Sequence, residues 1–214
     1  MTVITVPPSK MSSISLKYFD PFNIFDTIKH ELESNFPLNN VYYKRTDDEP
    51  ISTINKLDLK FTNDTALFSS STFMSVLVIS CSNINEYRNK IRPVINQWIS
   101  NNKIDEFSKS YRLYVFLIQT TVEDVNDNKM FNRKNINEKI HNDFSEINHI
   151  IQFPSFFKSL EEKNQLFTSV CTRIQKSVLS SLNMKLDIIE GFESDLLYVY
   201  MQKLNLYLKF GLLN

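Results

Sequence analysis

Phe73-Met74-Ser75-Val76-Leu77-Val78-Ile79-Ser80-Cys81 (FMSVLVISC) is the stretch on which the fold turns. It is almost unbroken in apolar residues and rich in β-branched ones, the mark of a strand covered on both faces. Tyr111–Gln119 (YRLYVFLIQ) has the same character. Between the two, Asn83 with Glu86 three residues on makes a helix-capping pair. Ile84, Tyr87, Ile91, Val94, Ile95 and Trp98 then trace one helical stripe to about Ser100. Pro93 interrupts that stripe and is expected to kink or split the helix, because it removes a backbone donor. Farther on, the acidic and polar Val122–Lys129 reads as a surface loop, Phe131–Phe144 as a helix and Ile147–Phe153 as another strand. The alternation of strand and helix over 73–153 predicts parallel pairing with right-handed crossovers.

Upstream, Ile14–Phe19 alternates and predicts a strand. Asp20-Pro21 has the form of an N-cap followed by proline at the first helical position. Phe22, Phe25, Ile28, Leu32 and Phe36 follow at helical spacing, predicting an amphipathic helix over 21–35 that Pro37 closes. Val41–Lys44 and Ile54–Phe61 are expected strands on either side of the polar turn Arg45–Pro50, and Asn63–Thr72 is expected to be a Ser/Thr-rich loop. Residues 1–12 read as a frayed start.

Downstream the pattern changes to long helix. Phe167, Val170, Ile174, Val178, Leu182, Leu186 and Ile189 form one apolar face, Gly191 ends it, and Phe192–Leu213 resumes as helix. That last segment carries Leu196, Leu197, Val199, Leu204, Leu206 and Leu208, apolar on almost every side. Such a helix needs cover, so either a partner packs on it or the chain is part of something longer. Alone, the chain is expected to be poorly soluble.

Composition narrows the function. With 24 basic and 24 acidic residues the net charge is zero, unlike the basic excess of a nucleic-acid binder or an electrostatic membrane anchor. Cys81 and Cys171 are too few for a disulfide framework and read as small core residues, in keeping with a reducing compartment. Asn63-Asp64-Thr65 matches a glycosylation sequon, but no signal peptide precedes it. No apolar run reaches the roughly 20 residues of a membrane span. Gly191 and Gly211 are the only glycines. A P-loop, a dinucleotide fingerprint or a nucleophile elbow each needs glycine where backbone meets a ligand or turns left-handed, so all three are missing.

Few residues point to chemistry. His141 and His149 stand near Asp143 and Glu146, but match no compact zinc spacing. Asp47-Asp48-Glu49 is a solvated turn, too compact to hold two carboxylates across a bond. Thr120, Thr121, Glu123, Asp124 and Asp127 follow the end of a predicted parallel strand, where open α/β sheets bind ligands, yet no glycine turn or basic cradle accompanies them. Arg88 and Arg92 lie one helical turn apart and suit carboxylates of this chain or of a partner. Neither a catalytic residue nor a metal or cofactor site is expected.

Two blocks resemble a known family. Tyr18-Phe19-Asp20-Pro21-Phe22, followed by an amphipathic helix and then Pro37-Leu38-Asn39-Asn40-Val41-Tyr42-Tyr43-Lys44, is similar to the opening of the large TRAPP II-specific subunit, the fungal type of trafficking protein particle complex subunit 10. Cys81-Ser82-Asn83-Ile84-Asn85-Glu86-Tyr87-Arg88-Asn89-Lys90-Ile91-Arg92-Pro93, with Trp98 beyond, is similar to the same family's pattern. The helix holding Arg173 and Val178 also fits, and Tyr43 departs from the family's usual Trp. The resemblance runs from about Ser15 to the end and covers only the N-terminal part of a much longer protein.

The resemblance implies a cytoplasmic protein, peripheral at the late Golgi and early endosome through its complex. Its implied partners are the small TRAPP core subunits, the second large TRAPP II subunit and, through the complex, a Rab-type GTPase. The nucleotide-exchange chemistry is attributed to the core, so Tyr18, Asp20, Pro21, Phe22, Tyr87, Arg88, Arg92, Pro93 and Trp98 are carried over as structural or interface positions only. The expected fold is α/β: a mixed, partly parallel sheet flanked by helices, Rossmann- or GTPase-like without the nucleotide motifs. It leads into a long C-terminal helical hairpin that begins an α-solenoid. The expected divisions are a disordered 1–12, an α/β domain over 13–155 and a helical extension over 156–214. A small nucleotide-binding or hydrolytic α/β domain is the alternative, since fold does not fix function.

Overall fold

The computed structural model describes residues 13–63, 73–102, 110, 112–119, 136–191 and 196–212. The expected frayed start, the loop after Asn63 and the acidic segment from Thr120 to Asp127 lie outside these residues.

A five-stranded, wholly parallel sheet forms the centre. Its strands are β1 (Ile14–Phe19), β4 (Leu59–Asn63), β5 (Met74–Ile79), β6 (Arg112–Ile118) and β7 (His149–Phe153), in the spatial order β4-β1-β5-β6-β7. Counting only these strands, the order is 2-1-3-4-5, one of the two common doubly wound arrangements. The antiparallel element of the expected mixture stands apart, as a hairpin of β2 (Leu38–Tyr43) and β3 (Ser52–Leu57).

All six residues of β5 are buried because both sheet faces are covered. On one face, Ile14, Leu16, Tyr18, Phe61, Val76, Val78, Phe116 and Phe153 pack beneath α1 (Asp26–Ser34), the β2–β3 hairpin and α5 (Leu160–Glu190). On the other, Leu77, Ile79, Val115 and Leu117 pack beneath α2 (Ile84–Glu86), a following π turn (Tyr87–Ile91), α3 (Arg92–Asn101) and α4, a helix over 136–143. α5 is 31 residues long, and its buried residues from Phe167 to Leu186 share the first of these cores. Ser159 caps it by accepting from the Glu162 N–H at 3.1 Å. After Gly191 the chain turns into α6 (Leu196–Phe210), which lies against α5 and sets the ring of Phe210 edge-on to Phe73, 5.2 Å between centroids.

The structure refines several local expectations. The helix expected over 21–35 begins only at Asp26. Asp20 does not cap it: its carboxylate accepts from the N–H groups of Phe22 (3.3 Å) and Phe25 (2.7 Å), holding a separate turn in which Asn23 is left-handed at φ 54°. The single strand expected over Ile54–Phe61 breaks at Asp58, whose carbonyl accepts from the Ile14 N–H at 2.8 Å; β3 stays with the hairpin while β4 crosses to β1. Pro93 does interrupt the α-helix: it stands in the first turn of α3, apart from α2. The turn before it widens to π, and the Arg92 N–H bonds the Tyr87 carbonyl, which gives the Asn89 carbonyl room beside the proline ring. Finally, left-handed backbone does not wait for glycine, since Asn23 and Asn40 (φ 52°) adopt it.

A candidate interaction surface

The crevice where a doubly wound sheet receives ligands lies at the carboxyl ends of the strands flanking the point of reversal, here β1 and β5. Asp20 leaves β1 and spends both carboxylate oxygens on backbone N–H groups of its own turn. Beyond β5, the Cys81 thiol donates to the Asn83 carbonyl (3.4 Å), the Asn83 side chain accepts from Glu86 N–H (3.0 Å), and the Glu86 carboxylate accepts from Ser82 N–H (2.8 Å). Four backbone N–H groups of this rim, those of Phe22, Phe25, Ser82 and Glu86, are therefore committed to the chain's own side chains. Two of the large exposed apolar side chains, Phe19 and Phe22, stand beside Asp20. Burial, and after it Glu86, pushes the Cys81 thiol up to about 11, so it stays protonated and unreactive.

Behind the crevice, Asp143 on α4 gathers three side chains. It accepts from the Tyr87 hydroxyl at 2.9 Å and from Lys139 Nζ at 3.0 Å, and it faces Arg92 Nε at 3.4 Å. The Lys139 bond first, then the Tyr87 bond and the nearby cations, hold its carboxyl below the usual range against its burial. Both of its oxygens are engaged by Tyr87, Lys139 and Arg92 and not by His141, His149 or Glu146. Among the described residues no group of three or more His, Cys, Asp and Glu side chains is placed to hold an ion. Arg88, one turn before Arg92, makes no ion pair among the described residues.

A cavity of about 410 Å³ opens at the carboxyl ends of β6 and β7. Ile28, Ile118, Phe157 and Phe167 line it, and at its rim Lys163 donates to Glu31 at 2.8 Å. Its cation is already paired, so the cavity suits an apolar side chain better than a phosphate. At the opposite side of the molecule, Arg45 in the hairpin loop bonds Asp187 and Glu190 at 2.8 Å each, and Glu190 also meets Lys203 of α6. Hairpin, α5 and α6 are thereby joined. Tyr43 adds a 2.6 Å bond from its hydroxyl to Asn183, so a phenol at this position reaches a polar partner on α5.

The sequence profile of the family described as "Trafficking protein particle complex subunit 10-like, N-terminal" matches residues 9–191. The chain belongs to this family. The chain is also similar to the trafficking protein particle complex II-specific subunit 130 of Saccharomyces cerevisiae, 26% identical over 190 residues. That match takes in 81% of the present chain and 16% of the relative, so the chain spans about a sixth of that protein's length.

The structure divides the family-motif positions in two. Tyr18, Tyr87 and Trp98 are core residues, while Pro21, Phe22, Arg88, Arg92 and Pro93 are exposed, with Asp20 between them. In the sequence Asp143 stands out only as a neighbour of the histidines, and Arg45 only as the start of a polar turn. The Lys139–Asp143 spacing of four on a predicted helix was the available sign for the first, and Asp187 with Glu190 on one helical face for the second. No helix among the described residues is long and apolar enough to cross a membrane.

Proposed function

We propose that this chain is a non-catalytic docking domain of a TRAPP II-type tethering complex. In this reading it attaches to other TRAPP subunits and supports guanine-nucleotide exchange on a Rab-type GTPase in Golgi and endosomal traffic, reaching the membrane only through the complex. The observation that carries it is the state of the crevice between β1 and β5. Where a nucleotide-binding sheet presents free N–H groups, Asp20, Asn83 and Glu86 accept from four of the rim's own N–H groups.

Exposed Phe19 and Phe22 beside that rim suit contact with a protein surface. The α5–α6 pair is read in the same proposal as the first helical layer of an α-solenoid. The outward Tyr200, Met201 and Leu208 on α6 support this. Family membership supports the trafficking role.

The test is release of fluorescent GDP from Rab-type GTPases. The chain alone is expected to leave the rate unchanged, and a tagged full-length protein is expected to bring down TRAPP subunits. Exchange by the isolated chain, or micromolar binding of labelled GTP or ATP in equilibrium dialysis, would overturn the proposal in favour of a nucleotide-binding domain.

A further inference from the structure

Some of the cations are answered by carboxylates of this chain and others are not. Arg45 is met by Asp187 and Glu190, Arg92 by Asp143 and Lys163 by Glu31. Arg112 and Arg173 have no ion pair among the described residues, and both lie beside Tyr114 of β6. Arg112 opens β6, His149 opens β7, and Arg173, Lys176, Ser177 and Ser180 fall at helical spacing on one face of α5.

The packing fixes that face over the two strand ends. The Tyr114 hydroxyl and Ser177 Oγ lie 2.6 Å apart, and the same hydroxyl donates to the Arg173 carbonyl at 3.3 Å. Arg112 Nη2 donates to Ser180 Oγ at 2.5 Å, and the Tyr114 and His149 rings are 4.8 Å between centroids. Burial first, then Arg173 and Arg112, hold the His149 pKa below its ordinary value. These contacts set the first residues of β6 and β7 against the 173–180 face of α5, and the hydroxyls of Tyr114, Ser177 and Ser180 offer the cations there no negative charge.

We propose that this cluster, the half-buried Arg112 with the exposed His149, Arg173 and Lys176, receives the carboxylates of an acidic segment from a partner protein. Planar guanidinium forks take carboxylates in paired hydrogen bonds. Arg112 is half-buried beneath α5, so the ligand has to reach inward with a side chain, which a flat lipid surface does not do. Every large exposed apolar side chain among the described residues lies off β6, off β7 and off the middle of α5, so nothing here wedges into a bilayer. Because the whole chain carries no net charge, attraction would be local to this site rather than a general pull on anions.

Fluorescence anisotropy of a labelled octaglutamate peptide against the full chain tests this. Arg112→Gln with Arg173→Gln is expected to weaken binding about tenfold or more, from the loss of charge-assisted bonds, while the exposed Arg88→Gln changes it little. Arg173→Gln alone, on the outer side of α5, gives the same direction if the double variant fails to fold. Peptide binding is also expected to raise the His149 pKa, followed by its imidazole proton resonances, because added carboxylates favour the charged ring. Three results would overturn the proposal: no peptide binding by the native chain, equal loss in Arg88→Gln, or binding only to vesicles of equimolar phosphatidylcholine and phosphatidylserine.

Discussion

The hydroxyl of Tyr87 donates to Asp143 across 2.9 Å, tying the π turn on one side of the second core to the last turn of α4. Tyr87 is fully buried, so its phenol has no water to fall back on. Tyr87→Phe is expected to cost about 1.5–3 kcal/mol, the range for a bond to a charged group. It will sit toward the lower end because Asp143 keeps Lys139 and Arg92. Urea denaturation should show a lower midpoint with an unchanged slope. An unchanged midpoint would mean that the bond contributes nothing.

Acid should weaken the joint between hairpin, α5 and α6. The Arg45 hydrogen bond first, and Lys203 after it, hold the Glu190 carboxyl at about 2, below its ordinary value of 4.5. A folded-state pKa below the unfolded one gives stability that is full above the higher value and is lost as pH falls toward the lower. Glu190→Gln should therefore be less stable than the native chain at neutral pH, with the gap closing between about pH 4.5 and 2. The gap will be modest, since the carboxylate is 37% exposed and screened by water. Thermal melts of both proteins across that range make the comparison, and parallel curves would count against it.

Phe25 is wholly buried and meets the rings of Tyr18, Phe61 and Phe116 at 4.7, 5.1 and 6.0 Å. It comes from the turn that Asp20 organises, so the motif and the first core depend on each other. Phe25→Ala is expected to cost about 3–5 kcal/mol and to lower Tm by roughly 6–20 °C. Calorimetry reads this directly. A shift of a degree or two would show that the ring packs loosely.

Burial pushes the thiols of Cys81 and Cys171 up to about 11. At neutral pH only about one molecule in ten thousand then carries either thiolate, the reactive form. Iodoacetamide should leave both cysteines intact in the folded chain and alkylate both in urea, as mass spectrometry will show. Rapid labelling of Cys81 in the native protein would contradict its protected setting.

Much of this architecture was legible in the sequence. Phe73–Cys81 and Tyr111–Gln119 announced doubly covered strands because unbroken β-branched runs have few other uses. The break at Asp58 was also there to be seen: Ile54 is out of phase with Leu57, Leu59 and Phe61 for a period of two, so one straight strand could not bury them all. Asp20-Pro21 misled because a carboxylate before a helix can hold a turn as readily as a first helical turn. The π turn was hidden because the stripe from Ile84 to Trp98 tolerates one extra residue per turn without losing its buried face. The polar clusters were least legible. Arg45 meets residues 142 and 145 positions away, and Arg112 meets Ser180 68 positions away; no local spacing encodes such pairs.

At about 1.5 Å per residue, the 31 residues of α5 make a rod of about 46 Å. Near its start Lys163 borders the cavity at the strand ends, and at its finish Glu190 grips the hairpin loop and α6. Because the sheet splints much of its length, the rod cannot shorten or flex between those points. It works as a gauge: whatever attaches at one extremity stands at a set spacing from whatever attaches at the other.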